Sequence, residues 1–196
     1  MTEELIGNDS IVEMAEEDIP MIWSKKAISY KKGLKDLIED EKIIVFPNIG
    51  VEQSAITMAY LFDYTKNEIL IFSNSFNDPY SNHPDYIKSL DNCLKRNVKI
   101  SLLVDELPNK NTDAYDKVKN YLMNFPQNGE IRQISPQGKD IIKSSFKDNV
   151  YCHFAVADND KYLLEINSET KESLCSFHHP KVANRLSSLF LEIYNL

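Results

Sequence analysis

A chain of 196 residues is long enough to bury a hydrophobic core without disulfide or metal staples and too short for two full domains. Its 42% hydrophobic and 27% charged residues are those of a globular protein, and its 5 glycines exclude a loop-dominated or low-complexity chain. A net charge of −8, with a pI near 5.0, repels nucleic acid and anionic membranes at long range, so strong nonspecific binding to either is disfavoured and only a local basic patch escapes the argument.

Residues 1–20 hold many acids and no lysine or arginine, and read as an acidic N-terminal arm ahead of one domain over residues 21–196. From 21 to 40, Ile22, Ala27, Ile28, Leu34, Leu37 and Ile38 recur on one helical face, with Gly33 weakening the middle and Trp23 expected to pack there. Lys25, Lys26, Lys31, Lys32 and Lys35 share this segment with Asp36, Glu39 and Asp40, which makes it a mixed solvated face rather than a basic patch. Residues 42–46 read as a short buried strand ending in a turn at 47–50, and 52–64 as a helix with Ala55, Ile56, Ala59, Tyr60 and Phe62 inward. A strand at 68–73, a polar loop at 77–82, a helix at 84–96 and a strand at 98–104 form a crossover unit with parallel strands and right-handed connection. A helix at 113–125 and a short strand at 130–134 follow, and residues 135–149, polar and interrupted by Pro136 and Gly138, read as a mobile loop. Two strands, 150–157 and 161–166, flank the turn Asp158-Asn159-Asp160, and an amphipathic helix at 180–194 closes the chain. The alternation implies an α/β fold whose mixed, mainly parallel sheet is covered by helices on both faces.

Cys93, Cys152 and Cys175 are odd in number and lack metal-type spacing, and no leader opens the sequence, so the expectation is a reduced, cytoplasmic protein without metal or cofactor. The apolar runs at 43–46 and 69–72 are of strand length, against about 20 residues for a bilayer-spanning helix, and no membrane association is expected.

The stretch VYCHFAVADNDKYLLE, residues 150–165, carries the most specific signal. The spacing of His153, Ala155 and Asp160 resembles the phospholipase D superfamily signature, His, any residue, Lys, four residues, Asp, with the lysine replaced by alanine. YIKSLDNCLKRNVKISLLVD (86–105) and FHHPKVANRLSSLFLEIY (177–194) are similar to that superfamily's helix-to-strand run and to its terminal segment, in the order of one phospholipase D-like repeat. The resemblance implies that His153 holds the nucleophile position, Asp160 the acid that orients it, and Ala155 the position of the lysine that grips phosphate oxygens. It also implies a homodimer, since two such motifs meet at one site. Losing one electrostatic stabiliser of this kind costs about 10²- to 10³-fold in rate. The glycine-serine pair that follows the motif is replaced as well, by Ile166-Asn167 or Asn167-Ser168 depending on the alignment.

Both departures favour a catalytically degenerate domain that works as a binding, regulatory or assembly protein with a protein partner, a role that small single-repeat relatives fill in mobile-element or anti-phage contexts. The alternative is a phosphodiesterase or nuclease with an altered site centred on His153, helped by Asp160 or Glu165 and by cations from Lys143 and Lys147 or a partner chain. A small-ligand sensor using the old phosphate pocket is a third reading that the sequence does not separate from the first.

Strand alternation puts Tyr151, His153, Ala155 and Ala157 on one face and leaves open whether that face is core or cleft. Asp158, Asp160 and Glu165 are candidates for a carboxylate-histidine or metal cluster, against which Asp-Asn-Asp is ordinary turn chemistry. Glu165 is the candidate partner of His153 across the hairpin, whereas Lys161, adjacent to Asp160, faces the other way and is not expected to replace the missing cation. His178 and His179 read as capping or surface groups rather than ligands of one ion, and Cys152 as a buried thiol. His83 lies beside the polar loop, near the strand ends where α/β sheets place ligands.

Overall fold

The computed structural model describes residues 23–76, 79–108, 113–167 and 169–196, and the acidic arm expected over 1–20 lies outside them. Helix α1 (Lys25–Glu39) starts at Ser24, whose Oγ accepts from the Ala27 N–H at 3.1 Å, and buries Ala27, Leu34 and Ile38. Strand β1 (Phe46–Ile49) and helix α2 (Val51–Tyr64) follow, then β2 (Glu68–Ser73), a 3-10 turn (Pro79–Asn82), α3 (Pro84–Lys95) and β3 (Lys99–Val104). The second half holds α4 (Asp113–Asn124), β4 (Ile131–Gln133), α5 (Pro136–Ser145), β5 (Phe154–Ala157), β6 (Lys161–Asn167), β7 (Glu172–Ser176) and α6 (Pro180–Tyr194).

One seven-stranded sheet runs in the order β1-β7-β6-β5-β2-β3-β4. The sheet is mixed, and helices cover both faces: α1 to α4 contribute to a core with Ile69, Ile71, Ala155 and Ala157, and α5 and α6 to one with Leu70, Phe72, Phe154 and Val156. The alternation within β2 and β5 thus feeds two cores, and each large side chain fully buried in them contributes about 1.5–3 kcal/mol. The balance of strand directions differs from expectation. Only β2–β3 and β3–β4 are parallel, and the four other pairings are antiparallel, because the C-terminal third is a meander added to just two crossover connections, β2-α3-β3 and β3-α4-β4.

Three further corrections share one cause, that neighbours rather than local pattern decide. The strand expected at 42–46 lies instead at Phe46–Ile49, across the expected turn, while Ile43 and Val45 are exposed. Pro47 is tolerated there because β1 is an edge strand, and the fully buried Asn48 accepts from the Tyr30 and Thr57 hydroxyls. The expected mobile loop at 135–149 is largely helix α5. Pro136 sits in its first turn, where a missing N–H is harmless, Ser135 Oγ accepts from Gly138 N at 3.1 Å, and Ile142 is fully buried. Strand β7 had no sequence counterpart: ESLCS is too polar to read as a strand, yet it pairs with both β1 and β6 and buries Ser173 and Ser176.

Candidate functional site

The topology gathers several strand ends on one edge of the sheet. Parallel β2 and β3 finish there at Ser73 and Val104; β5, antiparallel to β2, begins there, and β6, antiparallel to β5, ends there. Ligands in open α/β sheets sit at such carboxyl ends. Asp105 is the first residue after β3, its backbone N–H donating to Ser73 O at 3.1 Å. His153 immediately precedes β5 rather than lying within a strand from 150, because the β2–β5 ladder reaches only to Phe72 and Phe154. Glu165 N–H donates to His153 O at 2.9 Å, which holds the two residues side by side. A register irregularity between Glu165 and Asn167 leaves Ile166 without a partner on β7, a bulge of the kind that re-aims side chains near sites.

These elements clamp one imidazole between two carboxylates. His153 Nε2 lies 2.8 Å from Asp105 Oδ2, and Nδ1 lies 3.2 Å from Glu165 Oε1. The acids are themselves held: Asp105 Oδ1 accepts from the Tyr151 hydroxyl and from Lys139 Nζ at 3.1 Å, and Glu165 Oε2 accepts from Lys171 Nζ at 3.3 Å. The Tyr151 ring stands edge-on to the imidazole at 5.6 Å and Phe72 is tilted against it at 5.0 Å, so the ring has aromatic walls as well as polar ends. His153 and Glu165 are 17% and 18% exposed and Asp105 is 8% exposed, so the contacts operate partly out of water, whereas Lys139 and Lys171 are 39% exposed.

A neutral imidazole carries one N–H and one lone pair, and two carboxylates facing its two nitrogens cannot both be satisfied by it. The geometry therefore selects the imidazolium. Burial alone would push the His153 pKa down, but the hydrogen bonds to Asp105 and Glu165 and the charge of both acids carry it above the ordinary histidine value. Burial likewise opposes ionisation of Asp105 and Glu165, and their bonds to His153, with Tyr151 and Lys139 on one side and Lys171 on the other, hold both carboxyls below the usual range. Attack on phosphorus needs a neutral ring with a lone pair directed at the substrate. In this arrangement neither nitrogen offers one.

Ala155, at the lysine position of the motif, is buried in the α2-side core and pairs with Ile71 and Leu163. The cations of the site come from Lys139 and Lys171, not from Lys143, in the last turn of α5, or Lys147, in the 3-10 turn after it.

Asp160 does not orient His153. It sits at the other end of the four-residue strand β5 and pairs with Lys161 Nζ at 2.6 Å. Lys161 also holds Asp158 at 3.2 Å, and Asp158 accepts from the backbone N–H groups of Lys66, Asn67 and Glu68 at 2.8, 2.8 and 3.2 Å. Positive φ at Asp158 and Asn159 fits the tight hairpin turn, so this acid pins the turn to the α2–β2 connection. At the glycine-serine position, Asn167 Oδ1 accepts from Glu169 and Thr170 N–H at 3.0 and 3.1 Å and so shapes the turn into β7; Ser168 lies outside the described residues.

His178 Nε2 meets Ile38 O at 2.9 Å, and His179 caps α6 by accepting from Val182 N–H. His83 caps α3 and stacks on Trp23 at 3.7 Å. Cys152 is buried, and burial and then Glu165 push its thiol up to about 11, away from thiolate chemistry. Among the described residues no group of three or more His, Cys, Asp or Glu side chains is placed to hold a metal ion. Asp105 and Glu165 approach opposite ends of one ring rather than a common point.

Asp105, Lys139 and Lys171 belong to the site without standing out in the sequence pattern. Only Asp105 left a signal, an acid directly after the buried parallel strand ISLLV.

No protein-family model and no curated protein matches the chain. Solved structures do match. Nuc from Salmonella typhimurium, a phospholipase D family member, aligns with a TM-score of 0.50 at 18% identity over 78% of this chain and 95% of its own. NucT from Helicobacter pylori aligns with a TM-score of 0.52 at 12% identity over 79% of this chain and 97% of its own. TrmBL2, an archaeal chromatin protein, reaches 0.56 at 14% identity over 87% of this chain and 63% of its own. At such identities the likeness lies in the backbone and shows the fold alone: this chain has the phospholipase D-like fold.

Proposed function

We propose that this protein is a catalytically degenerate phospholipase D-like domain that works by binding, as a regulatory or assembly subunit. The observation that carries the reading is the double clamp on His153, with both ring nitrogens engaged by Asp105 and Glu165, beside a buried Ala155 where a phosphate-gripping lysine would stand. A charged, tethered imidazole is a structural ion, and phosphoryl transfer also needs cations free to meet developing charge. The two lysines present are engaged by carboxylates.

A homodimer or a complex with a protein partner in a reducing, cytoplasmic setting belongs to the same proposal, in a mobile-element or anti-phage context as the family resemblance suggests. Three free, buried cysteines support the reducing compartment. Among the described residues no helix is long and apolar enough to cross a membrane. Nucleic acid remains the disfavoured partner on the charge of the domain as well as of the whole chain: residues 1–20 hold seven of the 30 acidic residues and none of the 22 basic ones. Residues 21–196, with 23 acidic and 22 basic residues, are therefore close to neutral, without the positive excess that phosphate-backbone binding draws on.

The second reading, a phosphodiesterase or nuclease, is favoured by one observation, that Lys139 and Lys171 stand at the site's rim and are partly exposed. Hydrolysis of bis-p-nitrophenyl phosphate separates the two. The expected result is no turnover above that of His153→Ala, with a concentration-dependent dimer in light scattering. Turnover that is lost in folded His153→Ala establishes the enzyme instead.

A further inference from the structure

At the far edge of the sheet from the β2–β3 crossover, one row of apolar side chains stands in water. Along residues 43–49 exposure alternates with period two: Ile43, Val45 and Ile49 are 68%, 46% and 55% exposed and Pro47 is exposed, whereas Asn48 is fully buried. Asn48 turns towards Tyr30 of α1 and Thr57 of α2. Pro47 pairs with Leu174, Leu174 with Leu164 and Leu164 with Phe154, which places the exposed row on the α5–α6 face of the sheet. The core on that face runs through β3, β2, β5 and β6, and among the described residues it takes in none of β7 or β1. The helices thus leave the β1 end of this face uncovered, and a contiguous apolar patch of this kind marks an interaction surface.

The edge itself is closed to a further strand. Pro47 has no N–H, and the Ile49 N–H donates to Gln53 Oε1 at 2.9 Å. An added strand would find a donor at neither position, so whatever covers the row lies across its face.

Residues 1–22 join the fold beside this row. Ser24 N–H and Oγ bond Glu52 at 2.8 and 2.6 Å, in the first turn of the helix that follows β1, and Lys26 and Ile49 line one hollow. Ile49 to Ile43 is about 20 Å of extended chain, well within the roughly 70 Å that 22 residues can span. Charge matches as well. Residues 1–22 hold seven acids and no lysine or arginine, residues 43–50 carry no charge, and the row is flanked by Lys42 at one end and the exposed Lys25 and Lys26 at the other. Ile11, Val12 and Met14, set among those acids, supply apolar side chains. The same row on a second copy, laid antiparallel, would bring lysines against lysines at both ends.

We propose that residues 1–22 dock on their own chain along Ile43, Val45, Pro47 and Ile49, with their apolar side chains on the sheet and their acids towards the flanking lysines. The acidic arm completes the cover of the sheet where the helices stop.

A nitroxide on Ser10→Cys tests this in the full chain, because the three native cysteines are at most 3% exposed and escape the label. The methyl resonances of Ile43, Val45 and Ile49 broaden in the parent. At Ile43 and Val45 the broadening is lost in Ile49→Glu, which sets an acid against acids, and in Ile11→Ser combined with Val12→Ser, which keeps the test open if Ile49→Glu does not fold. Sharp methyls in the parent overturn the proposal. Broadening that persists in both variants reports the tether alone and overturns it too. Mixing a nitroxide-bearing chain without isotope label and an isotope-labelled chain without nitroxide separates the copies: broadening in that mixture assigns the row to a second copy and overturns docking in cis.

Discussion

The two ends of strand β5 carry the same charge pattern built in different ways. At one end Lys161 stands between Asp158 and Asp160; at the other His153 stands between Asp105 and Glu165. The first cluster is local, joining residues one and three apart, whereas the second joins residues 12 and 48 apart. Neighbours in sequence hold the turn cluster together, so it is a fixed pin. A histidine is charged only while its surroundings keep it so, and the clamp is therefore conditional. One end of the strand is architecture, and the other can change state.

Removing the acid from each end is the strongest way to break the comparison. Asp105→Ala strands the Tyr151 hydroxyl and Lys139 and leaves His153 with one partner in a mostly buried setting, an expected loss of about 3–5 kcal/mol. Asp158→Ala also deprives several donors of an acceptor and leaves the buried Lys161 with Asp160 alone, but the N–H groups of Lys66 and Asn67 lie at exposed positions where water replaces the carboxylate, and a loss of about 2–3 kcal/mol is expected. Urea unfolding near pH 6 measures both. A larger loss for Asp158→Ala would show that the turn, and not the clamp, is the stronger tie.

The same contrast explains how much was legible in advance. Segments whose apolar period was continuous, such as β2 (EILIFS) and α6, lie where the pattern placed them. Strand β7 and helix α5 were not legible, because ESLCS draws its stability from two flanking strands and PQGKDIIKSS from a cap and one deeply buried isoleucine. Within the site, the His153–Glu165 pairing follows from adjacency in the hairpin. Asp105 reaches His153 only because β2 pairs with β3 on one side and β5 on the other, a fact of topology that no window of sequence contains. Motif spacing pointed to Asp160 instead, which the length of β5 carries away to the opposite end.

A pH series sharpens the comparison without disturbing the turn cluster. His153 has a raised pKa in the folded protein, so its stabilising contribution is fully present below the unfolded value of about 6.5 and is lost as pH rises through the folded value. Asp105 and Glu165 have depressed values, so their contribution is present above the unfolded carboxylate range, about 4, and is lost as pH falls through the folded values. Clamp stability is therefore greatest between about pH 4.5 and 6.5 and declines on the alkaline side. The urea midpoint is expected to fall between pH 6 and 9 in the parent and to stay level in His153→Gln. A slope that persists in His153→Gln would assign the decline to another group.

The smallest effect tests whether the outer lysines tune the clamp or only decorate it. Lys171 is 39% exposed and touches Glu165 from the solvent side, so Lys171→Met changes stability by less than about 1 kcal/mol. Its effect on the imidazole has a definite sign. Lys171 draws on the same carboxylate that holds the Nδ1 proton, and its positive charge opposes a second one nearby. Without it, Glu165 serves His153 alone, and the imidazolium becomes still more favourable. The His153 ring proton resonances should then titrate at higher pH in Lys171→Met than in the parent. A midpoint that stays in place would mean that the lysine is screened from the ring. One that moves down would mean that Lys171 holds Glu165 in position, and that the clamp is assembled from the rim inward.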